Sequence, residues 1–289
     1  MRLDLVSNRV LIFGAKSFTA KHLIPYLQSS GFDTIGSRVN ILDRGDILRE
    51  IKKYSPNYII NLAGLSFVAD SNSLGFYSVN TIGAINILDI LVKNGITPKK
   101  IILVSSATVY GNQDRAILDE SLHPEPINHY GNSKLSMENL AKNYFDKLNI
   151  TIARPFNYTG VGQSSKFLIP KIVNHYRDRR ETIELGNLNI IREFNDIEFL
   201  SETYRRLLIE DSASGEILNI CSGRGIKLLD IIDIMDKIAG YSIDVRVNPK
   251  FIRKDEIESL TGSPKKLFSI VGEVSQKDFK ETLKDMFEA

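Results

Sequence analysis

The stretch Val10-Leu-Ile-Phe-Gly-Ala-Lys-Ser-Phe-Thr-Ala20 decides the fold, because an apolar run leads directly into a glycine turn and then into an amphipathic segment. Such a strand–turn–helix points backbone N–H groups at a bound pyrophosphate, and glycine lets the backbone approach that group closely. Gly14 keeps the first glycine of the usual pattern, whereas Ser17 and Ala20 stand in the second and third places. A purely structural turn, with Ser17 as the helix cap, is the alternative interpretation.

Outward from this stretch, short apolar strands alternate with amphipathic helices. Strands are predicted at residues 10–13, 34–35, 58–62, 101–104 and 150–153. Helices are predicted at residues 17–30, 47–54, 76–94 and 130–148. Pro25 is expected to kink or shorten the first helix. This alternation predicts the α/β class, with a Rossmann-like, doubly wound parallel sheet.

Beyond Arg154 the pattern loosens. Residues 155–162 are rich in Gly, Pro and Asn and predict a loop, residues 217–220 a late strand, and residues 228–239 a helix. No low-complexity linker separates this region from the first. We therefore expect a smaller mixed α/β domain packed on the main one.

Composition argues against several classes of binding partner. The 289 residues are 43% hydrophobic and 25% charged with a net charge of +2, as in ordinary globular proteins. No dense basic stripe predicts nucleic acid or a membrane surface, and no apolar run approaches the ~18 residues that span a bilayer. Cys221 is the single cysteine, and the four histidines lack the paired spacing of a zinc site. We expect a cytoplasmic protein without a metal.

Tyr130-Gly-Asn-Ser-Lys134 predicts the catalytic site. Residues four apart on a helix share one face, so the ammonium group lies beside the phenol. We expect it to lower the pKa of Tyr130 from its usual ~10, allowing proton exchange near neutral pH. Upstream, Ser106 follows the strand at 101–104, where its hydroxyl can bind the same substrate oxygen.

The end of the second strand predicts the cofactor. It reads Ile35-Gly-Ser-Arg38, with no acid before Asp43. A carboxylate there would bind ribose hydroxyls, whereas a cation accepts the additional phosphate of NADPH. NADPH is therefore favoured over NADH, which stays possible; a solvated surface arginine is the alternative for Arg38.

These motifs resemble the extended short-chain dehydrogenase/reductase family, the NAD-dependent epimerases and dehydratases of nucleotide sugars. The quoted segments are Asn61-Leu-Ala-Gly64, Ser105-Ser-Ala-Thr-Val-Tyr-Gly111, Tyr130-x-x-x-Lys134 and Arg154-Pro-Phe-Asn157. Later segments resemble the GDP-4-keto-6-deoxy-D-mannose reductases within that family. They are the run 154–163, Gly186-Asn-Leu188, Arg192-Glu-Phe194, Asn219-Ile-Cys-Ser-Gly223 and Arg253-Lys-Asp-Glu256.

The resemblance implies roles position by position. Ser106, Tyr130 and Lys134 would be catalytic. Cofactor contacts would come from Gly14, Ser17, Phe18, Arg38, Asn40, Ile41, Ala63, Gly64, Tyr130 and Lys134. The nucleotide sugar, GDP-linked by this resemblance, would be bound by Asn157, Asn187, Arg192, Arg253 and Glu256. Residues 1–155, with a return segment at 194–221, would form the NADP-binding domain, and 156–193 with 222–289 the nucleotide-sugar-binding domain.

The resemblance also narrows the reaction. Related dehydratases place Asp-Glu after the catalytic hydroxyl residue, where Ala107-Thr108 stands here, so dehydration is disfavoured. Relatives that epimerise C3 or C5 use a cysteine–histidine acid/base pair. Cys221 lies in a strand-like segment, where a lone cysteine is usually a buried apolar residue, so that reaction is disfavoured too. Reduction of the C4 ketone of a GDP-4-keto-6-deoxy-hexose, or of a related GDP-4-keto-heptose, remains. The alternatives are a nucleotide-sugar 4-epimerase with tightly bound NAD and a non-catalytic dinucleotide-sensing protein. In relatives, helices equivalent to 81–92 and 133–148 pair across a two-fold axis, which implies a homodimer.

Overall fold

The computed structural model describes residues 8–66, 73–252 and 256–289. The strands are β1 (Arg9–Phe13), β2 (Asp33–Ser37), β3 (Tyr58–Asn61), β4 (Lys100–Val104), β5 (Ile150–Pro155), β6 (Tyr158–Thr159), β7 (Thr182–Leu185), β8 (Ile191–Glu193), β9 (Asn195–Asp196), β10 (Ile217–Ile220), β11 (Gly225–Lys227), β12 (Asp244–Val247) and β13 (Ser259–Leu260).

The α-helices are α1 (Phe18–Ser29), α2 (Arg44–Tyr54), α3 (Ser73–Phe76), α4 (Ala84–Lys93), α5 (His129–Ala141), α6 (Leu168–Arg177), α7 (Ile197–Ile209), α8 (Leu228–Ala239), α9 (Lys265–Val271) and α10 (Phe279–Glu288). A π-helical segment, Tyr77–Gly83, joins α3 to α4. Short 3-10 turns lie at Ala107–Tyr110, Lys142–Tyr144, Asp211–Ala213 and Pro249–Phe251.

Six parallel strands form the central sheet in the order β10-β5-β4-β3-β1-β2. Strand β1 shows how it is covered, since Val10 and Ile12 face the helices α1 and α7 while Leu11 and Phe13 face α2, α4 and α5. Both faces are buried, so the strand is apolar throughout rather than alternating with polar residues. The predicted α/β class and Rossmann-like sheet are confirmed.

The strand order reverses between β1 and β3, and the turn after β1 lies in that crevice. Gly14 has φ +85°, and a β-carbon there would lie 2.5 Å from the backbone nitrogen of Ala63. Leu62 N–H also donates to the Phe13 carbonyl at 3.0 Å. Open α/β sheets bind their ligands at such a reversal, beyond the carboxyl ends of the strands.

A second group of elements follows β5. Helices α6, α8 and α10 share a core with strand β7. Smaller sheets have the orders β11-β8-β13, β12-β7 and β6-β9. The predicted smaller mixed α/β region is therefore present beside the main sheet.

Pro25 does not shorten helix α1, which runs through it to Ser29. The predicted end of the helix that carries Tyr130, by contrast, was wrong. Helix α5 ends at Ala141 rather than near 148, because the chain tightens into the 3-10 turn Lys142–Tyr144. Leu148 still reaches the core of that face from the turns that follow, so its apolar character suggested a longer helix than the chain forms.

The run Ser73–Lys93 is long and apolar enough to cross a membrane, the single such helix among the described residues. However, 56% of its apolar window is buried inside the fold. A core helix passes the same test of length and composition, so this run is weak evidence for a membrane segment.

Gly14→Ala tests the close approach at the strand reversal. We expect a loss of roughly 2–4 kcal/mol in the free energy of unfolding, because backbone strain adds to the clash with Ala63. The matched control is Gly31→Ala, where φ is +87° but nothing lies within 4 Å of the added carbon. It should cost only the backbone strain, about 1–2 kcal/mol. Urea unfolding measures both, and equal losses would contradict the proposed contact.

Candidate active site

Tyr130, Lys134 and Ser106 meet at the carboxyl end of β4. The Ser106 hydroxyl hydrogen-bonds the Tyr130 hydroxyl. Lys134 Nζ donates to the Val104 carbonyl oxygen at 2.7 Å. Ser106 and Tyr130 thus meet just beyond β4, and the Lys134 ammonium group lies at the last residue of the same strand.

Lys134 lies on α5, and its ammonium group reaches the chain at Gly64, one of the predicted cofactor residues. The residue is only 7% exposed, and Nζ is 3.4 Å from where a β-carbon on Gly64 would lie. Burial lowers the pKa of Lys134 to about 8, and the nearby Glu138 carboxylate opposes that shift. A dinucleotide passing along Ala63 and Gly64, as the sequence predicts, would therefore lie within reach of this ammonium group.

The expected lowering of the Tyr130 pKa is wrong for this structure. Burial of the hydroxyl raises the pKa of Tyr130 to about 12, and the hydrogen bond from Ser106 opposes the shift only in part. Sequence spacing does not reveal how much water reaches the hydroxyl, and desolvation disfavours a phenolate. The phenol stays protonated at neutral pH, which is the state needed to give a proton away.

Glu138, which sequence reasoning missed, binds Ser105 and Arg154 next to the three predicted catalytic residues. Its carboxylate accepts hydrogen bonds from Arg154 Nη2 at 2.6 Å and Nε at 2.9 Å. It also accepts a hydrogen bond from the Ser105 hydroxyl at 2.5 Å. Burial opposes the charge of Arg154, but its hydrogen bonds to Glu138 outweigh burial and raise the pKa of Arg154. The signal was available, because Glu138 follows Lys134 by four residues and so lies on the same helix face.

The buried pair continues into a hydrogen-bond network. Arg154 Nη1 donates to the Tyr110 hydroxyl at 3.0 Å, which donates to Asn219 Oδ1 at 2.8 Å. Burial raises the pKa of Tyr110 to about 12. Strands β4, β5 and β10 are thereby tied to helix α5 directly behind the catalytic side chains.

A π-helical segment flanks the site on another side. In it, Asn80 accepts Leu65 N–H at 2.8 Å and donates to the Ser133 hydroxyl at 3.0 Å. Asn80 thus joins the chain that follows Gly64 to the residue preceding Lys134. Such π-helical turns are common at functional sites.

The predicted cofactor residues line the edge formed by β1, β2 and β3. Ser17 caps α1, its hydroxyl accepting Ala20 N–H at 3.1 Å, so the structural role proposed for it is present. Phe18 stacks against Tyr158 with ring centroids 6.2 Å apart. Gly14 lies so close to the Ala63 backbone that a β-carbon would collide with it. We call the turn so formed, at the start of α1, the Gly14–Ala63 cradle. This cradle fits a dinucleotide pyrophosphate at the start of a helix.

The end of β2 lies beside the same turn, since Ala15 N–H donates to the Ser37 carbonyl at 3.0 Å. Arg38 follows it and is exposed. Asn40 Oδ1 accepts Leu42 N–H at 3.0 Å. The Ile41 side chain is 3% exposed and packs in the core.

Asn157 follows β5 at the carboxyl edge of the sheet. Its carbonyl accepts the backbone N–H of Asn195 at 2.8 Å and the side-chain Nδ2 at 3.3 Å. Asn195 is fully buried, and its Oδ1 has no hydrogen-bond partner among the described residues. Sequence reasoning missed Asn195, because its distance along the chain from Asn157 gave no signal of the pairing.

The remaining predicted substrate residues lie in the second region. Arg192 donates to the carbonyl oxygens of Ile257 and Glu258, which holds it next to the Glu256 segment. One carboxylate oxygen of Glu256, Oε2, is buried without a partner in the described part of the chain. Asn187 Oδ1 accepts Asn189 N–H at 2.9 Å in a local turn. Arg253 lies outside the described residues.

No group of three or more His, Cys, Asp or Glu side chains that could hold a metal ion occurs within residues 8–66, 73–252 and 256–289. Cys221 is buried there, and burial raises the pKa of its thiol.

The family model described as GDP-mannose 4,6-dehydratase matches residues 11–286. The chain belongs to this family. The expected membership among the extended short-chain dehydrogenases and their epimerase and dehydratase relatives is thereby confirmed. The family includes more than one reaction, so membership alone does not choose between them.

Two relatives are named for oxidoreduction of GDP-sugars. The GDP-6-deoxy-D-talose 4-dehydrogenase of Aggregatibacter actinomycetemcomitans is 34% identical over 269 residues, 91% of each chain. The GDP-6-deoxy-D-mannose reductase of Pseudomonas aeruginosa is 27% identical over 294 residues, 96% of each chain. The structure of RMD from Pseudomonas aeruginosa complexed with NADPH superposes with a TM-score of 0.88 at 26% identity, covering 98% of this chain and 97% of that one.

Glu138→Gln tests whether the buried ion pair holds the site together. The variant leaves the Arg154 charge without its partner in the interior, so we expect a loss of roughly 3–5 kcal/mol in the free energy of unfolding. Asp33→Asn is the control, because its pair with Arg9 is 2.6 Å long but lies at the surface, where such pairs contribute at most about 1 kcal/mol. Losses of similar size in urea unfolding would refute the anchoring role.

Proposed function

We propose that this protein reduces the C4 ketone of a GDP-4-keto-6-deoxy-hexose with NADPH. The observation that carries the proposal is the meeting of Ser106, Tyr130 and Lys134 beside the Gly14–Ala63 cradle. The two relatives named above support the substrate class, because 6-deoxy-D-mannose and 6-deoxy-D-talose differ only in configuration at C4. Oxidoreduction at that carbon is the chemistry common to both sugars.

The cofactor is supported by the cradle, by exposed Arg38 and by the NADPH in the structure of the Pseudomonas relative. NADPH supplies the hydride when bound. Gly14, Ser17 and Phe18 would lie along the cofactor phosphates, and Arg38 near the ribose phosphate. Ala63 and Gly64 would back the dinucleotide. Lys134 would hold the nicotinamide ribose while keeping its charge beside Tyr130.

Tyr130 supplies the proton. Addition of hydride to C4 places negative charge on the C4 oxygen, and Tyr130, protonated because burial raises its pKa to about 12, protonates that oxygen. Ser106 donates a hydrogen bond to the phenolate that remains, and Lys134 stabilises it electrostatically. The raised pKa suits reduction, in which the phenol begins the reaction with its proton.

Other reactions of the family lack suitable groups here. Ala107 and Thr108 follow Ser106, and neither is an acid or base at neutral pH. Glu138, the carboxylate beneath the site, is committed to Arg154 and Ser105. Cys221 is buried with a raised thiol pKa. Dehydration and C3 or C5 epimerisation are therefore disfavoured.

The nucleotide sugar would bind between the two regions of the chain. We assign dinucleotide binding to residues 1–155 and 194–221, and nucleotide-sugar binding to 156–193 and 222–289. Asn157 and Arg192 would meet the substrate pyrophosphate, and Asn187, Arg253 and Glu256 the nucleoside. The unpartnered Glu256 Oε2 supports this placement, because a buried polar atom needs a hydrogen-bond donor. The homodimer also stays a prediction; Ile82 and Leu140, on the segments expected to pair, are exposed.

Tyr130→Phe tests the assigned proton donor. With GDP-4-keto-6-deoxy-D-mannose and NADPH, we expect kcat to fall at least ~100-fold because general acid catalysis is lost. NADPH binding, followed by nicotinamide fluorescence, should persist. Tyr26→Phe is the control, since that hydroxyl bonds Glu202 away from the site and its loss should leave kcat unchanged.

The outcomes separate the alternatives. A wild-type protein that binds NADPH but does not oxidise it with the keto sugar would refute the proposal and favour a sensor. Interconversion of C4 epimers by dinucleotide retained through purification, with no net oxidation, would favour an epimerase. Unchanged turnover in Tyr130→Phe would remove this tyrosine from the reaction.

Arg38→Ala tests the choice of dinucleotide. Loss of a charge-assisted contact worth roughly 1.5–3 kcal/mol should raise the KM for NADPH about 10-fold or more. The KM for NADH should not change, because NADH lacks the phosphate. Arg49→Ala, on the exposed face of α2, is the control for removing a positive charge. Equal effects on both dinucleotides would contradict the role of Arg38.

A further inference from the structure

Thr108 donates two hydrogen bonds to the hydroxyl oxygen of Ser106. Its backbone N–H donates to Ser106 Oγ at 3.2 Å and its own hydroxyl donates at 2.9 Å. A serine hydroxyl carries two acceptor lone pairs and one proton. With both lone pairs engaged by Thr108, the Ser106 proton is directed away from Thr108, and Ser106 hydrogen-bonds Tyr130 on that other side.

We propose that Thr108 is a positioning residue that orients the Ser106 hydroxyl as a donor toward Tyr130 and the substrate oxygen bound there. The inference rests on the proposed function, because a fixed donor matters when negative charge develops on those oxygens. Thr108 itself does not touch the reacting atoms in this proposal. It acts through Ser106.

The backbone around Thr108 is held against the catalytic helix. A β-carbon on Gly131, the residue after Tyr130, would lie 2.8 Å from the Thr108 carbonyl oxygen. The Asn128 side chain caps the same helix, accepting Gly131 N–H at 2.8 Å. The turn and the helix start are therefore fixed relative to one another. Rotation of the Ser106 hydroxyl is the freedom that the Thr108 side chain removes.

The three hydroxyl groups point their donors the same way, from Thr108 to Ser106 to Tyr130. Hydrogen bonds in such a chain polarise one another, so each donor is stronger than it would be alone. When Tyr130 gives up its proton, the phenolate is stabilised by the whole series of hydrogen bonds from Thr108 through Ser106. A donor already oriented toward developing charge needs no rearrangement during the reaction. Loss of the Thr108 hydroxyl should therefore affect the chemical step more than substrate binding.

Thr108→Val keeps the shape and the backbone donor while removing the hydroxyl. With NADPH and GDP-4-keto-6-deoxy-D-mannose, we expect kcat to fall roughly 10-fold, as for loss of one hydrogen bond in the transition state. KM should change less than about two-fold by the same reasoning. Thr108→Ser restores the hydroxyl and should recover most of the rate. Thr108→Ala, which removes the hydroxyl without adding a methyl group, should repeat the loss if the valine variant folds poorly.

The decisive comparison is a double-mutant cycle with Ser106→Ala. If Thr108 acts through Ser106, adding Thr108→Val to Ser106→Ala should cause no further loss. Thr151→Val is the matched control, because its buried hydroxyl donates to the Ala213 carbonyl at 2.7 Å away from the site, and it should retain full kcat. Additive losses in the cycle, no rescue by serine, or an unchanged kcat in Thr108→Val would each overturn the proposal. Absence of turnover in the wild type would instead refute the proposed function.

Discussion

A buried ion pair between Glu138 and Arg154 is the constraint on which the site depends. The Glu138 carboxylate also accepts a hydrogen bond from the Ser105 hydroxyl at 2.5 Å. Glu138 therefore links helix α5 to the end of β4 and, through Arg154, to β5, the strand that leads to Asn157. An ion pair in the interior is costly unless its geometry and hydrogen bonds are good. Here each of the three guanidinium nitrogens of Arg154 donates a hydrogen bond, two of them to Glu138. The charge is thus used to fix positions rather than to take part in the chemistry.

Ser106 and Lys134, two of the three proposed catalytic residues, are buried, and Tyr130 is partly buried. Burial raises the pKa of Tyr130 to about 12 and lowers that of Lys134 to about 8. The raised pKa keeps the phenol protonated at neutral pH, and the lowered pKa brings the titration of the ammonium group closer to neutral pH. Fixed hydroxyl donors and a nearby positive charge then stabilise the phenolate at the moment it forms. Such an arrangement favours giving a proton to a reduced carbonyl.

Local patterns in the sequence predict groups that lie close together in space. The i, i+4 spacing predicts Tyr130 and Lys134 as catalytic residues, and the strand–glycine–helix pattern predicts Gly14 as a cofactor contact. The same spacing extended one more turn would have found Glu138. Asn195, by contrast, depends on pairing across distant segments, and the Tyr130 pKa depends on burial. Neither has a signal along the chain. The early end of α5 and the passage of α1 through Pro25 likewise reflect tertiary packing, which overrides local preference.

We propose that this chain transfers hydride to a sugar carbonyl and protonates the resulting oxygen. In the test, NADPH carrying deuterium at both hydrogens of nicotinamide C4 is incubated with GDP-4-keto-6-deoxy-D-mannose, and the product is examined by mass spectrometry and NMR. We expect one deuterium at C4 of a GDP-6-deoxy-hexose. Retention of both deuterium atoms in the dinucleotide, or a product with unlabelled C4, would contradict the proposal.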